Sequence, residues 1–378
     1  MVGSKRVSPS PQALFVSYTS LLGGAELILL DHATGLAGPV ALACPEGPLA
    51  ERARAAGIEV VTLRRRRMEL RASARDRLAM PLRISAQSRE VRRIVTQLRP
   101  GCVIGWSMRG LLSSAGALRG LRPPRPLVFH HNDLLPSPLV GRAIRAATRR
   151  ADLAIVLSQA IADDLDPDGG LGTAIEVVRP GVDLARFRPA GPPPRDPPTA
   201  LVVGAIVDWK RPDMALDVVA LATRQLPDLR VQVAGAPIGE SGEALRAELE
   251  RRAQQPDLAG RVAFLGAVDD VPAALADATC LLHCADREPY GMAIVEALAC
   301  GRSVVAAAAA GPTEIVDASC GALYPPGDVQ GAADALVEAV QRADELGRGA
   351  RARAEALFDR SAARRRFREL IDGIAVAP

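Results

Sequence analysis

Thr279-Cys280-Leu281-Leu282, followed by Glu288-Pro289-Tyr290-Gly291-Met292-Ala293-Ile294-Val295-Glu296, decides how this chain is read. The apolar run has the character of a buried strand, Pro289 and Gly291 mark a tight turn, and Met292 to Ala299 are strong helix formers. The first amides of such a helix have no intrahelical acceptor and attract an anion, so a diphosphate can dock between the two carboxylates. Glu288, on the turn, then faces a sugar ring at one end of the diphosphate. Glu296, over a turn further along the helix, accepts hydrogen bonds from ribose hydroxyls at the other. Taken alone the pair has a second reading, because an acidic residue near a helix start also serves as a partner for the helix dipole.

Outward from this stretch, short apolar runs alternate with amphipathic segments, the pattern of an α/β protein whose parallel sheet is covered by helices on both faces. Strands are predicted in the first half at Ala13 to Ser17, Pro39 to Ala43, Glu59 to Leu63, Cys102 to Trp106, Leu127 to His130, Leu153 to Leu157 and Glu176 to Val178. In the second half they are predicted at Ala200 to Val203, Val231 to Ala234, Val262 to Leu265, Thr279 to Leu282 and Ser303 to Ala307. Between the sets, Pro189 to Pro198 holds six prolines in ten residues and joins neither a helix nor a sheet interior. The expected division is therefore a first domain over 1–188, a linker over 189–199, a second domain over 200–360 and a terminal helix over 361–378. Two doubly wound domains are expected to face each other across a cleft at the carboxyl ends of their strands.

Composition excludes several classes. With 378 residues, 48% apolar and 24% charged, the chain has enough material for two cores of ordinary size. The net charge of +4, from 47 basic and 43 acidic residues, and an aromatic content of 3% leave no basic, aromatic-interleaved stripe for nucleic acid. The six cysteines have the spacing of neither a zinc site nor a disulfide framework and read as small core residues in a reducing cytoplasm. Met1 to Gln12 is polar and proline-punctuated, and no apolar stretch approaches the length of a membrane span. Arg64-Arg65-Arg66-Arg67, with Arg71, Arg75 and Arg77 beyond, reads as a solvated basic face or as a weak peripheral contact with anionic lipid.

Five segments, in order, resemble the glycosyltransferase 4 family. They are Val178-Arg179-Pro180-Gly181-Val182-Asp183 with Phe187 and Pro189; the E-x7-E pair Glu288 and Glu296; Ala297-Leu298-Ala299-Cys300-Gly301; Gly311-Pro312-Thr313-Glu314-Ile315-Val316; and Gly321-Ala322-Leu323-Tyr324-Pro325-Pro326-Gly327-Asp328. The resemblance implies a GT-B architecture of two Rossmann-like domains. It further implies a retaining, metal-independent transfer of a sugar from a nucleotide diphosphate donor, a UDP-sugar ahead of a GDP-sugar, to a hydroxyl acceptor held by the first domain. No cofactor other than the donor co-substrate is expected, and oligomeric state is left open.

Of the 47 basic residues only Lys5 and Lys210 are lysines, and Gly204 to Lys210 is similar to the family segment whose lysine contacts the donor diphosphate. A compact ammonium pairs well with phosphate oxygens and offsets the charge growing on the leaving group. The family's arginine after that glycine is replaced here by Ala205, and Arg211, beside Lys210, is a candidate substitute. Tyr290, Gly291 and Met292 are expected beside the donor with Glu288 and Glu296, and the Leu265-Gly266-Ala267 turn beside the base. In the first domain Gly23 and Gly24 resemble the loop bordering the phosphates and the acceptor. His130-His131-Asn132-Asp133 resembles a strand end where a histidine lies near the transferred sugar; which histidine matches stays open, as does a purely structural role.

Other motifs lead nowhere. Asp166-Pro167-Asp168 lies in a glycine-rich turn unsuited to a metal, Ser158 lacks the glycines of a nucleophile elbow, and no Walker A or G-x-G-x-x-G follows a strand. Two alternatives to transfer remain. One is a sugar-nucleotide epimerase or a phosphorylase, although Lys5 and Lys210 are poor candidates for a pyridoxal lysine. The other is a degenerate homologue that holds a nucleotide-sugar without turnover, a reading to which Ala205 lends weight.

Overall fold

The computed structural model describes residues 10–66 and 74–376. Lys5, Arg67 and Arg71 lie outside the described residues, as do the side chains of Arg75 and Arg77. The chain divides into two compact units, one running to Arg179 and taking in Ala363 onward, the other Pro180–Ala362.

Unit 1 is built on strands β1 (Ala13–Val16), β2 (Val40–Cys44), β3 (Glu59–Thr62), β4 (Cys102–Trp106), β5 (Leu127–His131), β6 (Leu153–Val156) and β7 (Ile175–Val177). They form one seven-stranded sheet in the order β3-β2-β1-β4-β5-β6-β7, with every pair parallel. Strands β1, β4 and β5 are buried along their whole length, which is why they read as unbroken apolar runs instead of alternating ones.

Unit 2 carries β8 (Thr199–Val203), β9 (Arg230–Ala234), β10 (Val262–Gly266), β11 (Cys280–His283), β12 (Ser303–Ala307) and β13 (Gly321–Tyr324), in the parallel order β10-β9-β8-β11-β12-β13. The doubly wound α/β class is thus present twice. Twelve strands fall where the apolar runs place them to within a residue or so at each end; β13 is the addition. Its glycine start and four-residue length give little strand signal, yet a Cβ at Gly321 would sit 1.9 Å from the Val304 carbonyl oxygen, so only glycine lets this edge strand close on β12.

Each sheet has one reversal of winding. Strand β1 lies between β2 and β4, and β8 between β9 and β11, so the connections leave these strands toward opposite sides. The C-terminal ends at such a point border an open crevice in doubly wound sheets.

The proline-rich segment lies inside unit 2, beyond the change of unit at Arg179 and Pro180. With six of its ten residues lacking an amide N–H, it is held through its carbonyls. Thr279 Oγ1 donates to Pro194 O (2.5 Å), and the buried Arg302 donates to Gly191 O (3.2 Å) while also capping the carbonyls of Leu275 (2.7 Å) and Ala276 (3.1 Å).

The C-terminal helix Arg360–Ile374 contributes its residues from Ala363 on to unit 1. Phe367, fully buried, stacks on His32 at 4.2 Å with the rings 6° from parallel and lies 6.2 Å from Phe15. Arg364 pairs with Asp31 at 2.6 Å, and Arg368 donates to the Gly35 carbonyl at 2.8 Å. Part of the basic patch is neutralised, since Arg66 pairs with Glu90 at 2.7 Å.

Phe367→Ala removes the aromatic side chain that joins this helix to β1. It is expected to lower the unfolding free energy of unit 1 by about 3–5 kcal/mol, read from urea unfolding through Trp106 fluorescence in a Trp209→Phe background.

Candidate active site at the winding reversal of unit 2

The connections leaving β8 and β11 meet at the reversal point of the second sheet. After β8 the backbone turns at Gly204 (φ 143°), runs through a single 3-10 turn, Asp208–Lys210, and enters the helix Pro212–Ala222 through Arg211, a left-handed residue at φ 51°. Pro212 at the first helical position suits that entry, because its missing amide would have had no acceptor there. A Cβ at Gly235, just past β9, would lie 1.8 Å from the Gly204 carbonyl oxygen. That glycine therefore sets how closely the two connections approach.

After β11 the chain reaches Glu288, then Gly291 (φ 117°) as the cap of the helix Met292–Ala299, whose extent is the one expected. The turn leans on the segment after β12. Glu288 and Ala310 form a parallel bridge, the Gly311 amide donates to the Glu288 carbonyl (3.0 Å), and a Cβ on Gly311 would lie 2.3 Å from the Tyr290 carbonyl oxygen. Gly311 of the fourth motif is thus a steric requirement of the Glu288 turn.

Lys210 and Glu288, 78 residues apart in sequence, form an ion pair. Glu288 is 7% exposed, and its Oε2 also receives a hydrogen bond from His283 Nε2 at 3.2 Å. Burial alone raises a carboxyl pKa, but the His283 hydrogen bond and the Lys210 charge outweigh it and hold Glu288 down at about 2. An ionised carboxylate only accepts, so the Nε2–H of His283 is the donor in this contact. Lys210 Nζ also sits 4.3 Å over the ring of Trp209, and of its three donors one is engaged by Glu288.

Glu296 lies on the helix beyond Gly291. Loss of hydration drives its carboxyl up to about 7, with the charge of Arg186 opposing the rise. The two acids of the E-x7-E pair therefore have opposite character, one locked ionised and one on the edge of neutrality. Tyr290 is buried and its hydroxyl donates to the Pro180 carbonyl at 2.6 Å, so what it offers this site is backbone. Arg211 is committed to Asp213 (3.1 Å) and Asp286 (3.0 Å), and its guanidinium is held as a cation by those carboxylates. With Ala205 contributing no side-chain donor, Lys210 is the cation among these candidates that reaches Glu288. The Leu265-Gly266-Ala267 turn, with Gly266 at φ 70°, ends β10 on the same edge of the sheet, beyond β9.

The remaining candidates belong to unit 1. Gly23 caps the helix Gly24–Gly35, and its amide donates to Glu26 at 3.1 Å. His130 and His131 end β5 and are both fully buried. His130 stacks on Trp106 at 3.9 Å and contacts Asn132 Oδ1 at 2.6 Å, and His131 stacks on Phe129 at 4.9 Å. Burial lowers both pKa values, that of His131 to about 3, so near pH 7 they are neutral. His283 and Gly235 escaped the motif reading. A polar residue closing an apolar strand and a glycine directly after one are the signals that point to them.

Two family models match the chain consecutively: Glycosyltransferase Family 4 over residues 22–186 and Glycosyl transferases group 1 over residues 185–354. The chain belongs to glycosyltransferase family 4. Curated relatives of this family-4 chain include D-inositol 3-phosphate glycosyltransferases. That of Mycolicibacterium smegmatis is 36% identical over 184 residues, and that of Mycobacterium bovis 37% identical over 178 residues. These alignments cover 44% and 43% of the chain but only 40% and 35% of the relatives, so the chain spans well under half the length of each. The chain is similar to Anabaena HepE, solved in complex with UDP-glucose, with a TM-score of 0.80, 25% identity, and coverage of 96% of this chain and 100% of that one. Sucrose-phosphate synthase of Thermosynechococcus elongatus shares the fold, with a TM-score of 0.79 at 18% identity, covering 96% of this chain and 98% of that one. Both units of the family-4 chain are accordingly Rossmann-like domains of GT-B type.

The raised carboxyl of Glu296 has a pH signature. In the unfolded chain this group ionises near 4.5, whereas in the folded state it keeps its proton to about 7, so between those values the folded state holds more protons and stability falls as pH rises. Glu288, with its lowered carboxyl, acts in a separate window, its contribution being present above 4.5 and lost as pH falls toward 2. Glu296→Gln is therefore expected to gain thermal stability over wild type progressively from pH 5 to pH 7.5; a difference in melting temperature independent of pH would show that the acid is ordinary.

Proposed function

We propose that the chain transfers a sugar from a nucleotide diphosphate donor to a hydroxyl acceptor with retention at the anomeric carbon. The observation that carries this reading is the meeting of Lys210 and Glu288 beside the start of the helix Met292–Ala299, at the winding reversal of unit 2. A diphosphate placed there has a helix start and an ammonium for its charge and two acids of different character at its ends. Glu288, permanently ionised, accepts hydrogen bonds from sugar hydroxyls. Glu296 accepts from the ribose, and a nearly neutral acid is easier to dry than an ionised one. Uridine is the proposed base, supported by the UDP-glucose complex of the similar HepE.

In the proposed reaction an acceptor oxygen attacks the anomeric carbon on the face from which the diphosphate departs. The new C–O bond forms as the bond from that carbon to the phosphate oxygen breaks, and the acceptor proton passes to the departing phosphate. Lys210 stabilises the charge gathering on that phosphate, so no metal is assigned to the step.

Removing one preorganised donor to a developing anion costs roughly 10²–10³ in rate. Lys210→Ala is expected to lower kcat by that factor and Glu288→Gln by a comparable one, with far-UV circular dichroism unchanged, when UDP release from UDP-glucose is followed with an acceptor present. Wild-type turnover in either variant removes the proposal. UDP release that does not depend on acceptor points to hydrolysis or isomerisation of the donor.

A further inference from the structure

Unit 1 has its own winding reversal, between β1 and β4, and the residues just past those strands hold polar atoms that the reaction above does not employ. Among the described residues, Ser107 Oγ, Arg109 Nε, Asn132 Nδ2 and the ring nitrogens of His131 are buried and meet no hydrogen-bond partner. Strand register gathers them. Val16 of β1 pairs with Gly105 of β4, and Trp106 of β4 with His130 of β5, so Tyr18, Ser107 to Arg109 and His131 to Asn132 all follow neighbouring strands on one edge.

Arg109 is the anomaly. It occupies the first turn of the helix Ser107–Leu118, which has no acidic residue in that turn and no side-chain cap. A helix start carries roughly half a positive charge, so a cation there is unfavourable unless an anion joins it. Among the described residues, partly buried arginines such as Arg211, Arg252 and Arg351 lie on carboxylates or carbonyls. Arg109 forms no ion pair among the described residues and instead lies 4.3 Å over the ring of Tyr18, with its Nε buried and unused. The first residue of the helix is strained as well. Ser107 is left-handed at φ 64°, an uncommon conformation for a residue with a side chain, and its hydroxyl has no partner. The exposed carboxylate near this edge, Asp133, receives the amide of Leu134 at 2.8 Å. Among the described residues a guanidinium Nε, a hydroxyl and a carboxamide N–H without acceptors gather beside the first helix amides, and that is the chemistry of a receptor for an anionic oxygen group.

We propose that Arg109, with the first amides of its helix and the Ser107 hydroxyl, binds a phosphate or carboxylate carried by the acceptor and thereby selects acceptors that bear one. Arg109 is a specificity-determining residue in this scheme, which rests on the glycosyl-transfer reading for the identity of its ligand as an acceptor. The ring of Tyr18 fixes the guanidinium plane and shields one face from water, so the fork is oriented before the ligand arrives.

The test uses the full chain saturated with UDP, which occupies the Lys210 site, and titrates inorganic phosphate, and separately acetate, by calorimetry at low salt. Wild type is expected to take up one phosphate per chain, Arg109→Gln to bind it at least tenfold more weakly, Arg109→Lys to lose less, and both variants to keep UDP affinity within twofold. Stronger uptake of phosphate than acetate assigns a phosphorylated acceptor, and the reverse order a carboxylated one. Absence of anion uptake by wild type, or equal uptake by Arg109→Gln, overturns the inference. If UDP does not bind but phosphate uptake still depends on Arg109, the transfer reading fails and the anion site stands. Should Arg109→Gln not fold, hydrogen exchange on wild type decides, since phosphate is expected to slow the first amides of the helix Ser107–Leu118, and unchanged exchange there refutes the site.

Discussion

A carboxylate kept almost dry at Glu288 is the constraint on which the site in unit 2 depends. An ionised acid in such surroundings is costly unless its lone pairs are met, and here one oxygen receives both the Lys210 ammonium and the His283 imidazole. These partners come from the ends of two adjacent strands, β8 and β11, so the pair also closes the winding reversal of the sheet. Breaking such a buried pair by removing one partner typically costs 3–5 kcal/mol, because the other charge is left uncompensated. His283 moderates that cost, as it still donates to the acid when the lysine is gone.

Close backbone approaches serve the same end. Gly235 lets the connection after β9 press against Gly204, and Gly311 lets the segment after β12 press against Tyr290. Each is a position where a single added carbon would collide with main-chain atoms that cannot move independently of a strand. The helix Met292–Ala299 is consequently aimed by glycine contacts made well away from it in sequence. Its apolar residues Ile294, Val295, Ala297 and Leu298 are buried behind it, so its start cannot drift from the acid turn.

Most of the architecture was legible because parallel strands covered on both faces must be apolar at every position, leaving runs that stand out from the amphipathic helices between them. That is why twelve strands could be placed, whereas β13, opened by a glycine and lying at the edge, could not. Of the site, the acids, the lysine and the turn glycines carried local signals. His283 did not, since a histidine at the end of an apolar run looks the same whether or not an acid lies within reach. The proline-rich segment shows the converse limit: its composition excludes regular structure but says nothing of whether its carbonyls are taken up by a neighbour, as those of Gly191 and Pro194 are.

Local composition and periodicity determined that this chain would form two parallel α/β sheets, and that a strand, a tight turn and a helix would bring Glu288 and Glu296 onto one connection. Those properties depend on neighbours within a few residues, which sequence order alone supplies. Tertiary structure decided the protonation of the two acids, the commitment of Arg211 to Asp213 and Asp286, and the placing of the Arg109 guanidinium over Tyr18. Each of these rests on burial and on charges brought close by strands distant along the chain, and electrostatic energy follows distance through space and local hydration, not separation in sequence.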